Sequence, residues 1–542
     1  MVNPSDASAV AQVSARIDKL FDGGLGHGET AASVAAPEGA KEIPSEWKLH
    51  PNQKIHRSKP GEEEGAIASL NTALSVMELP PYKEKYDDGA ENGPAMVWTG
   101  LPSIWKLSTV REGGRQYPGD YLYVMDPSWI TQVPSGPERN QLYVTKAVYF
   151  EKDGKQAVLV TYKYPRRARY FGNLLTLGAF DTDSGVPLEE NLDAPMSSSS
   201  QLEKRTNDKL WTRLLLAAEG ARVPQTRAFL LPHNFLASRD IPQSERFKTG
   251  LMPQTRAEVA AAVQEFLGRY HGDEVVVKPS GPRFHSGEGV KLIPRGNVDE
   301  IIDHVIALSH HPHMDSEGLV LLEQRLAPPP VYFRLAPYVE GQPYIYQDKK
   351  KFGVELLGPD EIAQAQPYEK KDSNERVWVA RDENGQPYTV PDGFFRAGTW
   401  GKPTSGQPKD PRDAASIVPF EIMRQAWMSQ HGVLRTQAEV DEFEAERRDI
   451  GVRALRAIAA SEVGQARQPG EPHQAQTDMI GLDLMYQLEN SRLVPYVIEV
   501  NDHDAAGQHA ADVFFPDRAG AHSTVWVKGQ HARAMNDQRQ NP

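Results

Sequence analysis

The chain has 542 residues, 39% of them hydrophobic and 25% charged, which is material for about three ordinary domains and excludes a fibrous or wholly disordered protein. With 60 Lys and Arg against 73 Asp and Glu the net charge is −13, the wrong sign for a protein whose main work is to hold polyanions, so no nucleic acid is expected. The absence of cysteine excludes disulfides, thiolate metal sites, iron–sulfur clusters and a cysteine nucleophile. No apolar run reaches the roughly 18 residues that span a bilayer. The first twenty residues lack the basic start and apolar stretch of a secretory signal, so a cytoplasmic protein without a membrane partner is expected.

In chain order, residues 1–62 are rich in Ala, Ser, Gly and Glu and read as a mobile arm, with Ser5 to Phe21 suited to a short helix. Residues 63–200 read as an N-terminal α/β domain. It holds the strand-like DYLYVMD (Asp120–Asp126) and a hairpin, QLYVTKAVYF–EKDGKQ–AVLVTYKY, that turns at Asp153–Gly154. PMSSSSQLEK (Pro195–Lys204) reads as a linker. TNDKLWTRLLLAAEG opens on cap residues and stops at Gly220, which predicts a helix, and RAEVAAAVQEFLGRY predicts another. VVVKP and GLVLLEQRL are short apolar runs suited to buried strands. Residues 335–475 are polar and Pro-bearing and read as a large insertion. MIGLDLMYQL and VPYVIEVN pair across a turn at Glu489–Ser491, and residues 521–542 are a tail. The body divides into 206–320 and 321–520, and its mixed elements predict an α+β or α/β fold.

Four features fall in order along this body. NDK (Asn207–Lys209) opens a helix; a strand ends at Lys278 and runs into the Gly/Ser loop PSGPRFHSGEG (Pro279–Gly289); LLEQRL (Leu321–Leu326) forms the third; Asp483 on one strand with Glu499 and Asn501 on the next forms the fourth. Two lysines supply point charges for phosphate oxygens, and a Gly-rich loop lets backbone N–H groups approach them. Glu499 and Asn501 stand i, i+2 on a strand and leave the same face, toward which Asp483 can turn. Mg²⁺ takes oxygen ligands only, and an Asp, a Glu and an amide oxygen meet that demand.

In this order the set resembles the ATP-grasp superfamily, over about Thr206 to Gly507. The resemblance implies an ATP-grasp fold, two α+β subdomains clasping ATP under a hinged lid, here behind the N-terminal domain. It implies that Lys209, Lys278, Ser280, Gly281, Ser286, Gly287 and Gly289 hold phosphates, with 280–289 as the lid. Glu323, Gln324, Arg325 and Leu326 would lie along the adenine, and Asp483, Glu499 and Asn501 would hold Mg²⁺, with Mn²⁺ an admissible substitute. The implied reaction is an ATP-dependent ligation of a small carboxylate to a small amine through an acyl phosphate, with Arg334 and then Arg396 as candidate holders of its oxyanion. A kinase acting on a hydroxyl and a non-catalytic ATP-binding protein are the alternatives, and a homodimer is compatible with the superfamily. The sequence departs from the pattern in four places: no acid follows the adenine strand in APPPVYF (Ala327–Phe333), Arg283, Phe284 and His285 enlarge the lid, the insertion is long, and EVNDHDAAGQHAAD lacks the small-residue and Pro pattern that follows the Asn in D-alanine–D-alanine ligases.

Other residues have plainer roles open to them. His503 and Asp504 follow the metal strand and stand near a substrate or cap a loop. HHPH (His310, His311, His313) reads as a solvated turn, and the basic run Tyr162–Tyr170 as a solvated face or pocket rim. Trp378 and Trp400 line a substrate site or simply pack.

Overall fold

The structure is a computed structural model that describes residues 61–87, 95–100, 102–132, 142–172, 206, 208–229, 255–280, 289–309, 319–347, 350–382, 386–390, 393–401, 415–463, 479–501 and 514. The helix expected at Ser5–Phe21, the linker Pro195–Lys204, Asn207, the loop residues Gly281, Arg283, Phe284, His285, Ser286 and Gly287, the histidines 310, 311, 313 and 503, and Asp504 lie outside these residues.

The N-terminal unit runs α1 (Glu62–Val76), β1 (Lys83–Asp87), β2 (Ala95–Thr99), α2 (Ile104–Gln116), β3 (Tyr121–Val124), β4 (Ile130–Gln132), β5 (Leu142–Phe150) and β6 (Ala157–Gly172). They form a six-stranded sheet in the order β1-β6-β2-β3-β5-β4. β2 and β3 are parallel neighbours joined by α2, the crossover that parallel pairing requires. β5 and β6 are the expected antiparallel hairpin. Its turn holds Gly154 at φ +69°, a conformation open to glycine, while the Asp153 carboxylate accepts from Lys155 N at 2.9 Å. Leu70, Leu74, Trp98, Leu107, Val110, Leu122, Val148 and Phe150 pack into a core belonging to this unit. Within the basic run, Arg166 is buried rather than solvated: it donates to the Gly119 carbonyl and pairs with Asp120 at 2.9 Å, just ahead of β3.

Next come α3 (Lys209–Ala218), β7 (Thr226–Phe229), α4 (Arg256–Arg269), β8 (Glu274–Ser280), β9 (Lys291–Pro294), α5 (Val298–Ser309) and β10 (Leu319–Gln324). The four strands make an antiparallel sheet, β7-β10-β8-β9. α4 starts on a capping box between Thr255 and Glu258, and its apolar stripe Val259, Val263 and Phe266 packs with α5 onto Val275, Val277, Val320 and Leu322. The valine run is therefore a strand covered on the side facing these helices.

The rest of the chain gives β11 (Val331–Ala336), β12 (Tyr344–Gln347), β13 (Lys350–Leu356), α6 (Pro359–Ile362), β14 (Lys370–Arg381), β15 (Pro387–Thr389), β16 (Phe394–Thr399), β17 (Ser416–Val418), α7 (Phe420–His431), α8 (Gln437–Val463), β18 (Met479–Glu489) and β19 (Arg492–Asn501). Their sheet runs β11-β13-β12-β17-β16-β14-β18-β19, with β15 on β14, and β11 also returns to β14, so its first six strands close into a ring. The stretch 335–475 thus supplies most of this sheet and the helices α7 and α8. Those helices and α3 cover one face with Trp211, Leu216, Trp427, Phe443, Leu455 and Ile458. The cover is pinned by a buried polar group: Arg447 of α8 donates to Glu375 of β14 at 2.9 Å, and Tyr486 of β18 donates to the same carboxylate. The opposite face of β14, β16, β18 and β19 carries the polar residues of the site.

Candidate nucleotide and metal site

Two sheets and one helix end bring the predicted residues together. Lys278 lies near the end of β8, and its cross-strand neighbourhood on β10 places Glu323 against it, Nζ to Oε2 at 2.5 Å. The other oxygen of Glu323 faces Arg213 Nε at 3.3 Å. All three side chains are buried. Burial opposes ionisation of Glu323, but Arg213 and Lys278 outweigh it and hold the carboxyl below its usual range. Burial pushes the Lys278 ammonium down to about 8, with Glu323 holding it up in part. Glu323 is therefore the buried counter-ion of Lys278. Ser280 closes the strand by accepting from Lys209 N at 2.9 Å, beside the cap that Asp208 gives Leu210 N and Trp211 N. α3 thereby starts at the end of β8, and its first lysine is fixed near the second.

The last hairpin supplies the acids. Asp483 of β18 stands directly opposite Glu499 of β19, and Gly481 stands opposite Asn501. The register slips by one between Asp483 and Leu484, leaving Ile498 as the extra residue of a β-bulge. Glu499 Oε1 lies 3.6 Å from Lys209 Nζ, across from the four-stranded sheet. The amide nitrogen of Asn501 is buried and has no hydrogen-bond partner among the described residues. Asp483 is differently engaged. Arg376 of β14 grips it with Nε and Nη2 at 2.5 and 3.1 Å, and Arg396 of β16 adds Nη2 at 2.5 Å. Burial opposes its ionisation, yet the two guanidinium groups hold it far below the ordinary carboxylate range. Glu499 and Asn501 present oxygen donors suited to a hard divalent ion, while Asp483 faces one only where an arginine lets go. The described residues contain no group of three His, Cys, Asp or Glu side chains placed to share an ion.

The adenine-strand residues divide. Gln324 pairs its backbone N–H with the Gln225 carbonyl at 2.8 Å, and Gln324 Nε2 reaches Gln487 Oε1 at 3.5 Å, so it spans from β10 to β18. Arg325 is buried against Asp372 of β14 and lies 5.5 Å from the Trp400 ring centre, with Lys370 Nζ 4.1 Å from the same ring. Leu326 is buried. Gly289 keeps φ +71° and gives its carbonyl to His304. Trp378 packs on Phe394 at 5.7 Å within an apolar cluster on the Asp483 face of the sheet. Arg334 stands elsewhere: it is partly exposed and pairs with Glu369 at 2.6 Å and Glu361 at 3.0 Å. Arg213, Arg376 and Asp372 are the site residues the sequence reading passed over. Only Arg213 carried a signal, standing four residues after Lys209 and hence on the same helical face.

Comparison with known proteins finds similarity to the following. No family model matches the chain. The sequence is 33% identical over 212 residues to carnosine synthase 1 of Homo sapiens, covering 37% of this chain and 25% of that protein. It is 25% identical over 395 residues to carnosine synthase 1 of Mus musculus, covering 70% of this chain and 42% of that protein. The chain thus spans less than half the length of the curated relatives it matches. Among solved structures it is similar to the D-alanine–D-alanine ligase from Coxiella burnetii, at 10% identity and TM-score 0.37 over 83% of this chain and 98% of that one. It is also similar to the ATP-grasp ligase PsnB, at 13% identity and TM-score 0.37 over 81% of this chain and 99% of that one.

Proposed function

We propose that this protein is an ATP-dependent carboxylate–amine ligase of the ATP-grasp kind, joining small amino-acid or peptide-like molecules and releasing ADP and phosphate. The observation that carries the reading is the approach of Lys209 to both Glu499 and Lys278, with Asn501 two residues after Glu499 on the same strand. The likeness to carnosine synthase supports an amide-forming reaction. In this reading Lys209 and Lys278 hold phosphate oxygens, and Glu499 and Asn501 hold the divalent ion. A bound Mg²⁺ supplies charge neutralisation on the β- and γ-phosphates. A carboxylate oxygen of the first substrate attacks the γ-phosphorus, the bridging bond breaks, and ADP leaves. The amine then attacks the acyl carbon, phosphate leaves, and the nitrogen loses a proton. Arg396 and Arg376, which share the sheet face of Asp483, are the candidate cations for the oxyanion of the second step, released to it as they leave Asp483; Arg334 pairs instead with Glu369 and Glu361.

The test is ADP and phosphate release with Mg·ATP across pooled amino acids and small carboxylates, with Glu499→Ala as the control. Substrate-dependent release that falls at least about 100-fold in the control is expected, the scale of losing one group that stabilises transition-state charge. Release unchanged in Glu499→Ala, or none in any pool, overturns the reading. A stable phosphoester in place of free phosphate would instead identify a kinase.

A further inference from the structure

We infer that Arg213 is a positioning residue that locks the phosphate lysines and the metal-bearing hairpin into one spacing, an inference that rests on the nucleotide reading above. Its guanidinium joins three elements at once. The side chain leaves α3 one turn after Lys209, so helix and lysine move together. Nε takes the oxygen of Glu323 that Lys278 leaves open, which fixes the carboxylate that fixes Lys278. Nη2 donates to the carbonyl of Ile498.

That last contact is specific to the bulge. Ile498 is the residue left over where Asp483 pairs with Glu499 and Leu484 pairs with Val497. A bulged residue is left out of the ladder, so its backbone groups need a partner from elsewhere. Arg213 supplies it to the carbonyl next to Glu499, and so holds the bulge that keeps Glu499 opposite Asp483. A planar fork does this where a single ammonium does not, because Nε and Nη2 reach two acceptors in a fixed relation. The remaining nitrogen, Nη1, is buried without a hydrogen-bond partner among the described residues, a cost that a guanidinium placed for stability alone has no reason to carry.

The consequence is a coupling. The lysines stand on α3 and β8 and Glu499 with Asn501 on β19, so metal tightens nucleotide only when these elements keep their spacing. Calorimetric titration of ATP in excess Mg²⁺ and in EDTA measures that gain directly, without turnover. Arg213→Lys keeps a partner for Glu323 but leaves the Ile498 carbonyl uncapped. It is expected to lose roughly 10- to 100-fold of the Mg²⁺-dependent tightening, read as the ratio of its own affinities in Mg²⁺ and in EDTA so that any change in EDTA affinity cancels, the scale seen when a residue supporting a metal ligand is removed. Arg213→Met is expected to lose affinity in both buffers. Melting curves establish that each variant is folded, and Arg213→Lys decides alone where Arg213→Met does not fold. A metal gain equal to wild type in folded Arg213→Lys overturns the role assigned to Arg213 and leaves the nucleotide reading standing. A wild type that binds ATP in neither buffer overturns both.

Discussion

Lys278 is an ammonium in a place that resists charge, and its behaviour with pH follows from that. Burial lowers its folded value to about 8, against about 10.4 for an unfolded lysine. The sign is fixed by linkage: the penalty for burying the charge is present in full below pH 8 and is relieved as pH rises from 8 toward 10.4, so this residue's contribution to stability improves over that window. Nucleotide binding should move the other way, because phosphate needs the protonated form. Above pH 8 the ATP affinity of the wild type is expected to fall about tenfold per pH unit, while Lys278→Arg stays flat over the same range. A parallel fall in both proteins, read by calorimetry, assigns the titration to another group. Lys278 itself was legible in the sequence because a lysine after three valines demands a partner. Its partner was not: Glu323 stands 45 positions later and meets Lys278 only because β8 and β10 are antiparallel neighbours. Arg376 is less legible still, since nothing in KKDSNERVWVAR separates a surface arginine from one that grips Asp483.

Elements were legible in proportion to the regularity of their patterns. The capped helices α3 and α4, the strands β8 and β10 and the hairpins β5–β6 and β18–β19 stand where periodicity and turn residues put them. The stretch 335–475 is different: apart from β14 its strands are short and separated by polar and Pro-bearing segments, so they carry little periodic signal alone and are defined by pairing into the ring. α8 shows how closely that ring is covered. A Cβ on its Gly451 would stand 2.4 Å from Thr389 Oγ1 of β15 and 3.0 Å from a Val379 methyl of β14. Gly451→Leu should therefore destabilise by about 1–3 kcal/mol in denaturant melts despite the better helix propensity of leucine, because overpacking outweighs that gain of under about 1 kcal/mol. A variant at least as stable as wild type means that α8 sits further from the sheet.

At the scale of the molecule, the N-terminal unit and the body each bury a core of their own, and the site lies in the body between the four-stranded sheet and the polar face of the large one. Mg·ATP is therefore expected to protect amides of β8, β10, α3, β18 and β19 from hydrogen exchange and to leave β2, β3 and β6 unchanged. At a nucleotide concentration 100 times the Kd the protected part gains about 2.7 kcal/mol. Protection spread evenly over both parts sinks this placement.

The sequence by itself determined the chemistry available: two lysines, a Gly-rich loop, an Asp, a Glu and an Asn in an order that resembles one superfamily, on elements whose local patterns set helix or strand. Those are properties of neighbouring residues, and hydrophobic period, caps and turns report them without reference to the rest of the chain. Only the tertiary structure decided which charges meet. The β8–β10 pairing set Glu323 between Lys278 and Arg213, the ring from 335–475 delivered Arg376 and Arg396 to Asp483, and a one-residue bulge turned Glu499 toward Lys209. Such contacts join residues far apart in the chain, and their energies depend on burial and register, which no local pattern encodes.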